Sequence, residues 1–346
     1  MLKITENTKV YAYCPAGVET GGVELLHQVI DIINNNGGNG YVYYVGDKPH
    51  RVPNAYKKYN IEVCEEIEDN EQNIIILPET KPFIVFEYSN IRVLVWWMSV
   101  DFFYKLNRGN LIIGDIFKFN KWEAIKELLK RFISIKPWSK KRYSLKNLRE
   151  NKRIIYNCYQ SMYASDFLAR NGFSNCVRLS DYINDDYKFD DSLINNKKDV
   201  VIYNPKKGYE FTKKLIKRAP DIRWIPIQNM TREQVKALMI DSKIYIDFGF
   251  HPGKDRMPRE AAMCGCCIIT GKQGAAGYKD DLFIDENKYK FTQKNRDIKR
   301  IINTIHSVMK NYEIEIQNFS EYRYLIKQEK NEFQKEVFDL FFGGKD

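Results

Sequence analysis

The chain has 346 residues, 44% of them hydrophobic, and a formal net charge of +10. That length suits two domains of ordinary size, each able to bury its own core, while no apolar run approaches the roughly eighteen residues of a membrane span. The N-terminal Met-Leu-Lys-Ile-Thr-Glu-Asn lacks the apolar core of a signal peptide, so a cytoplasmic protein is expected, and the positive charge requires an anionic partner: nucleic acid, acidic lipid or a phosphorylated substrate.

In chain order, Val10-Tyr-Ala-Tyr-Cys14 reads as a strand and Val23 to Ile33 as a helix with an apolar stripe. Tyr41-Val-Tyr-Tyr-Val45 reads as a second strand beyond the turn Asn36-Gly-Gly-Asn-Gly40. Ile74-Ile-Ile-Leu77 and Ile91-Arg-Val-Leu-Val95 are further strand candidates. Alternation of this kind means a parallel sheet covered on both faces. Near Asn184 the composition turns polar and acidic (Asn-Asp-Asp-Tyr-Lys-Phe-Asp-Asp), and a domain boundary is expected there. A second alternating unit follows: strand Val200 to Tyr203, helix Tyr209 to Arg218, strand Ile222 to Pro226, helix Thr231 to Ile240 and strand Lys243 to Asp247. Thr231-Arg-Glu-Gln234 is a capping-box pattern and marks a helix start. A long helical segment is expected from about Glu315 to Phe342.

Two features speak to chemistry through composition alone. Seven cysteines, at 14, 64, 158, 176, 264, 266 and 267, are odd in number and scattered, which argues against a disulfide framework. Cys264-Gly-Cys-Cys267 contains C-x-x-C without a second pair, so small residues filling a helix–strand junction is the better reading than zinc. Between Lys118 and Arg153, thirteen Lys and Arg face three Glu, interleaved with Phe119, Trp122, Leu128, Leu129, Phe132, Ile133 and Trp138. Such a mixture suits an anionic membrane surface, where rings sit at headgroup level and cations meet acidic lipid, although a solvated helix face has the same look. No nucleic-acid module is present, and no nucleic-acid partner is expected.

The most informative stretch runs from Tyr245 to Thr270, read as a buried strand, a charged loop, a helix start and a second strand. The loop gathers His251, Lys254, Asp255, Arg256, Arg259 and Glu260 around Pro252, Gly253 and Pro258. Cations on stiffened backbone beside a helix N-terminus suit phosphate. Gly21-Gly22 and Lys206-Lys207-Gly208 each lie between a predicted strand and a predicted helix, where backbone can approach a ligand closely.

From Glu260, Glu-Ala-Ala-Met-Cys-Gly-Cys-Cys-Ile-Ile-Thr resembles the Glu-Ala-Met-Ala-x-Gly-x-Pro-Val-Val segment of GT-B glycosyltransferases, in particular the retaining enzymes of family 4. Tyr203-Asn-Pro-Lys-Lys-Gly-Tyr-Glu210 is similar to that family's strand–loop–helix, and Thr20-Gly-Gly-Val-Glu-Leu-Leu-His-Gln28 to its glycine loop. The resemblance implies that Glu260 binds the ribose of a nucleotide sugar, that Lys207 touches the donor diphosphate, and that Gly21 and Gly22 lie near the donor. Two positions depart from the pattern. Pro252 stands where the family has a second Glu, so contacts to the sugar ring fall to His251 or Asp255. The Arg usual before the loop Lys is missing, and Lys254 or Arg256 would replace it. Trp96-Trp97 and Asp101 follow a strand of the domain in which such enzymes bind acceptors, so stacking on a sugar is one expectation and ordinary core packing the other.

The expected fold is therefore α/β, of GT-B type. Two Rossmann-like parallel-sheet domains would face a cleft (1–190 for the acceptor, 191–320 for the nucleotide sugar), and a C-terminal helix (321–346) would cross back to the N-terminal domain. The expected activity is metal-independent glycosyl transfer from a nucleotide sugar to a glycan or lipid-linked acceptor in surface polysaccharide biosynthesis. The catalytic candidates are His251, Asp255 and Arg256, and the protein would be cytoplasmic or peripheral on the inner membrane face. The chain has no Asp-x-Asp, the metal-holding motif of GT-A enzymes. A GT-B-fold epimerase and a non-catalytic glycan- or lipid-binding subunit are the alternatives.

Overall fold

The structure, a computed structural model, describes residues 2–46, 50–133 and 141–343. The chain divides into two compact units, Met1–Gln160 with Ala164–Ser180 and Glu332–Asp346, and Ser161–Tyr163 with Asp181–Asn331. Trp138 of the basic segment lies outside the described residues.

The first unit is built on seven strands: β1 (Lys9–Pro15), β2 (Asn39–Val45), β3 (Glu62–Cys64), β4 (Ile74–Pro78), β5 (Arg92–Trp97), β6 (Ile154–Tyr159) and β7 (Cys176–Arg178). They form one sheet in the order β3-β2-β1-β4-β5-β6-β7, with every pairing parallel. Every residue of β4 is buried, as its unbroken apolar run requires of a parallel strand covered on both faces. The helices are α1 (Gly21–Asn35), α2 (Val100–Asn107), α3 (Ile113–Phe119), α4 (Lys121–Ile133), α5 (Leu145–Arg149) and α6 (Met162–Arg170). His27 on α1 is a satisfied packing residue, its ring 2.7 Å from the Val23 carbonyl and 2.6 Å from the Tyr44 hydroxyl.

The second unit has four parallel strands, β8 (Lys198–Tyr203), β9 (Arg223–Pro226), β10 (Ser242–Asp247) and β11 (Cys267–Thr270), in the order β11-β10-β8-β9. Its helices are α7 (Tyr209–Arg218), α8 (Arg232–Asp241), α9 (Arg256–Met263), α10 (Ile298–Lys310), α11 (Tyr312–Glu315) and α12 (Ser320–Phe338). The capping box of α8 forms as its sequence dictates, with Thr231 Oγ1 accepting from the Gln234 N–H and the Gln234 side chain accepting from the Thr231 N–H. Cys264, Cys266 and Cys267 are buried in the core where α9 turns into β11. Burial pushes all three thiols up, Cys264 to about 12, so they are packing groups without thiolate character.

Two boundaries differ from the expectation. The division falls after Ser180 instead of after residue 190. The acidic run from Asn184 looks like a linker, yet its aromatic residues Tyr187 and Phe189 pack on the second core, and the Arg323 guanidinium lies 3.9 Å above the Phe189 ring. At the other end, the chain passes from the second unit to the first inside α12, between Asn331 and Glu332, not at residue 321. Within the first unit the tail is fixed by backbone and side chain together. The Leu2 and Ile4 N–H groups donate to the carbonyls of Leu340 and Phe341 at 2.9 and 2.8 Å. Glu336 accepts from the Ser180 N–H and hydroxyl at 2.6 and 2.7 Å, and Phe333 stacks on Trp96.

Candidate functional site

In the second sheet the chain leaves β8 for β9 on one side and then crosses to β10 on the other. Strand order therefore reverses between β8 and β10, and in open parallel sheets ligands bind outside the strand carboxyl ends at such a point. The loop after β8 (residues 204–208) and the loop after β10 (residues 248–255) line it. Two glycines let these loops touch. Gly208 has φ +59°, and a Cβ there would run into the Phe248 carbonyl. A Cβ on Gly249 would meet the Lys207 side chain and, at 2.9 Å, Asp247 Oδ1. Each loop then opens a helix, α7 behind Gly208 and α9 behind Asp255, so free N–H groups and positive helix ends collect where the strands stop.

Between the loops runs a chain of charged side chains. Asp247, the last residue of β10, accepts from the Gly249 N–H at 2.8 Å and the Tyr245 hydroxyl at 2.9 Å. His251 is buried, with Nε2 3.6 Å from Asp247 and Nδ1 3.0 Å from Asp255. The Asp255 carboxylate also accepts from the Lys207 ammonium. Burial pushes the Asp247 carboxyl up, but the adjacent imidazole and the Lys207 charge outweigh it and hold the group below the ordinary carboxylate range. Asp247, His251 and Asp255 bring three ligand-type atoms within 4.8 Å of one another, and the chain's own Lys207 supplies a cation at that cluster.

The structure thus brings Lys207, His251 and Asp255 together and adds Asp247, which the sequence reading placed only as a strand end. Arg256 and Glu260 are half-buried on α9. Because that helix already begins at Arg256, Glu260 sits in its second turn, whereas the sequence suggested a helix start. Lys254 is placed differently from its expected role at a diphosphate, since its ammonium lies 2.7 Å from Glu329 on a side chain that is mostly shielded from solvent. Arg259 completes that arrangement with no exposed surface, bonding Glu329 at 2.7 Å and Asp181 at 2.6 Å. No local pattern could have revealed it, because its partners lie 78 residues before and 70 after.

In the first unit the reversal of strand order falls between β1 and β4. Gly21 and Gly22 are there, but as the first residues of α1, behind Thr20. A Cβ on Gly22 would make only ordinary contact with Met98, at 3.7 Å, so no steric need for glycine exists at that position. Trp96 and Trp97 correct the acceptor expectation. Both belong to β5 and are wholly buried, with indole N–H groups donating to the Leu179 carbonyl at 2.9 Å and to Asn157 Oδ1 at 3.1 Å. Neither ring has a face free for a sugar. Asp101 lies half-buried in the first turn of α2. Glu79, just past β4, went unnoticed in the sequence. It is buried, accepts from the Met98 N–H at 3.2 Å, and burial pushes its carboxyl up to about 8.

Two parallel Rossmann-like sheets and a last helix that ends in the first unit define the fold as GT-B. Solved structures of the same fold agree. Anabaena Alr3699/HepE in complex with UDP and glucose matches with a TM-score of 0.61 at 12% identity, over 96% of this chain and 98% of that one. Sucrose-phosphate synthase from Thermosynechococcus elongatus matches with a TM-score of 0.61 at 9% identity, over 96% and 97%. A glycosyltransferase from Rickettsia africae matches with a TM-score of 0.52 at 13% identity, over 96% and 98%. No family model matches the chain. No curated protein matches it either.

Proposed function

We propose that this protein is a glycosyltransferase that moves a sugar from a nucleotide-sugar donor to a glycan or lipid-linked acceptor, and that it works in the manner of retaining family 4. The observation that carries the reading is the pair of abutting glycine loops at the β8/β10 reversal. There two helix N-termini and the Lys207–Asp255–His251 chain converge, in a fold shared with a protein solved with UDP and glucose. In this reading Lys207 and Arg256 take the diphosphate, Glu260 holds the ribose hydroxyls, and His251 with Asp255 addresses the sugar ring. The bond from the anomeric carbon to the diphosphate oxygen breaks with its electron pair on the diphosphate, and one from the acceptor oxygen forms as that oxygen passes its proton to the departing diphosphate. The two cations neutralise charge that builds on the leaving diphosphate, so no resident metal is needed in this scheme. Among the described residues no helix is long and apolar enough to cross a membrane, and the proposed place of work is the cytoplasm or the inner membrane face, close to a lipid-linked acceptor.

The test pairs UDP with its 2′,3′-dideoxy analogue. Wild type should bind UDP at least tenfold more tightly, and Glu260→Gln should erase most of the difference, because a buried hydrogen bond to a charged group is worth about 1.5–3 kcal/mol. Equal affinity of wild type for the two nucleotides would remove the ribose role from Glu260.

A further inference from the structure

Helix α4 is amphipathic and mounted the unusual way round. Its inward face carries Ala124 and Arg131. The Arg131 guanidinium bonds Glu127 at 3.0 Å and the carbonyls of Arg108 and Leu111 at 2.8 and 3.0 Å, while Glu123 pairs with Arg108. The apolar residues point outward: Trp122, Leu129, Phe132 and Ile133 are 74%, 56%, 66% and 84% exposed. With Ile125 they follow a spacing of three and four, which makes one continuous stripe along the helix. Exposed Lys121, Lys126 and Lys130 border it. The neighbouring helices extend the surface with Phe102 and Leu106 on α2 and Phe117 on α3, all exposed, beside Lys105 and Lys118.

A soluble protein seldom leaves a helix face with four large apolar side chains more than half exposed unless something covers it. We infer that this face docks on an anionic lipid surface, with the α4 stripe entering the headgroup boundary and the bordering lysines meeting lipid phosphates. Charge chooses the occupant. Two copies joined face to face would set lysine borders against each other, which like charges disfavour, whereas an acidic bilayer answers both the stripe and its rim. The inference stands independently of the transfer reading, because lipid binding is measured without donor.

The experiment sediments the full chain with vesicles of phosphatidylcholine alone or mixed with phosphatidylglycerol, and follows tryptophan emission. Only the mixed vesicles should pellet the protein, with a blue shift that Trp122→Phe abolishes. Replacing Trp122, Leu129 and Phe132 together by Ser should weaken binding at least tenfold. Changing Lys126 and Lys130 to Gln should weaken it about fivefold per residue, more at low salt than at high. These side chains are exposed, so an unchanged melting temperature is expected and serves as the folding control. Three results would overturn the inference: equal pelleting with both vesicle types, pelleting with neither, or light scattering that finds a dimer which the serine variant dissociates.

Discussion

Arg259→Met tests whether the second unit depends on the buried charges behind its loops. In the wild type the guanidinium has no exposed surface and bridges Asp181 and Glu329. The variant keeps the aliphatic stem but strands the Asp181 carboxylate in a site equally closed to water. Breaking a buried pair from one side costs about 3–5 kcal/mol, a large share of the roughly 5–15 kcal/mol that holds a domain folded. For a unit of this size the melting point should fall by roughly 6–20 °C. Glu329 keeps Lys254 at 2.7 Å, so adding Asp181→Asn, which neutralises the stranded group, should restore part of the loss. Burial pushes the Asp181 carboxyl up, but the Arg259 charge, followed by that of Lys254, holds it below its ordinary value. A depressed carboxyl stabilises the fold above its unfolded pKa and loses that contribution as pH falls through the folded one. The gap between wild type and variant should therefore be full at neutral pH and shrink below about pH 4. The assay is urea unfolding across pH. A single-variant cost under about 1 kcal/mol, or a double variant that costs the sum of its parts, would refute the argument.

Two predictions address the loops directly. Lys207→Ala should weaken nucleoside-diphosphate binding by about 1.5–3 kcal/mol in calorimetry, whereas Asp255→Asn, which removes the carboxylate that engages Lys207, should strengthen it; unchanged affinity in both would remove the phosphate assignment. Gly208→Ala must take a left-handed φ of +59° and push the Phe248 backbone aside, so it should cost roughly 2–5 kcal/mol of stability and abolish nucleotide binding, and an alanine variant that melts and binds like wild type would show that the loops do not touch.

The elements with a strong local pattern were legible. Helix α7 spans the residues its pattern indicated, α8 starts at its capping box, and the apolar runs of β1, β2, β4 and β10 became strands within one or two residues of the expected ends. Local chemistry is enough there, because periodicity and side-chain capping act over a few residues. The glycine beside Lys207 was also visible, but only the fold showed why it must be glycine: the Phe248 carbonyl stands where a Cβ would go, 40 residues along the chain.

The sequence by itself determined the two alternating units, the motifs that bracket a phosphate-suited loop, and the mixture of lysine and aromatic residues in the basic segment. Tertiary structure decided the work assigned to each side chain. Trp96 and Trp97 could be core or sugar platform until β5 put both between packed layers. Lys254 and Arg259 look like any loop cations until Glu329 and Asp181 arrive to claim them. The basic segment reads as a membrane surface or a solvated helix face, and only the bonds of Arg131 to the Arg108 and Leu111 carbonyls show which side of α4 its apolar residues take. The reason is common to all three: periodicity states which residues share a face, and only long-range partners state which way that face points.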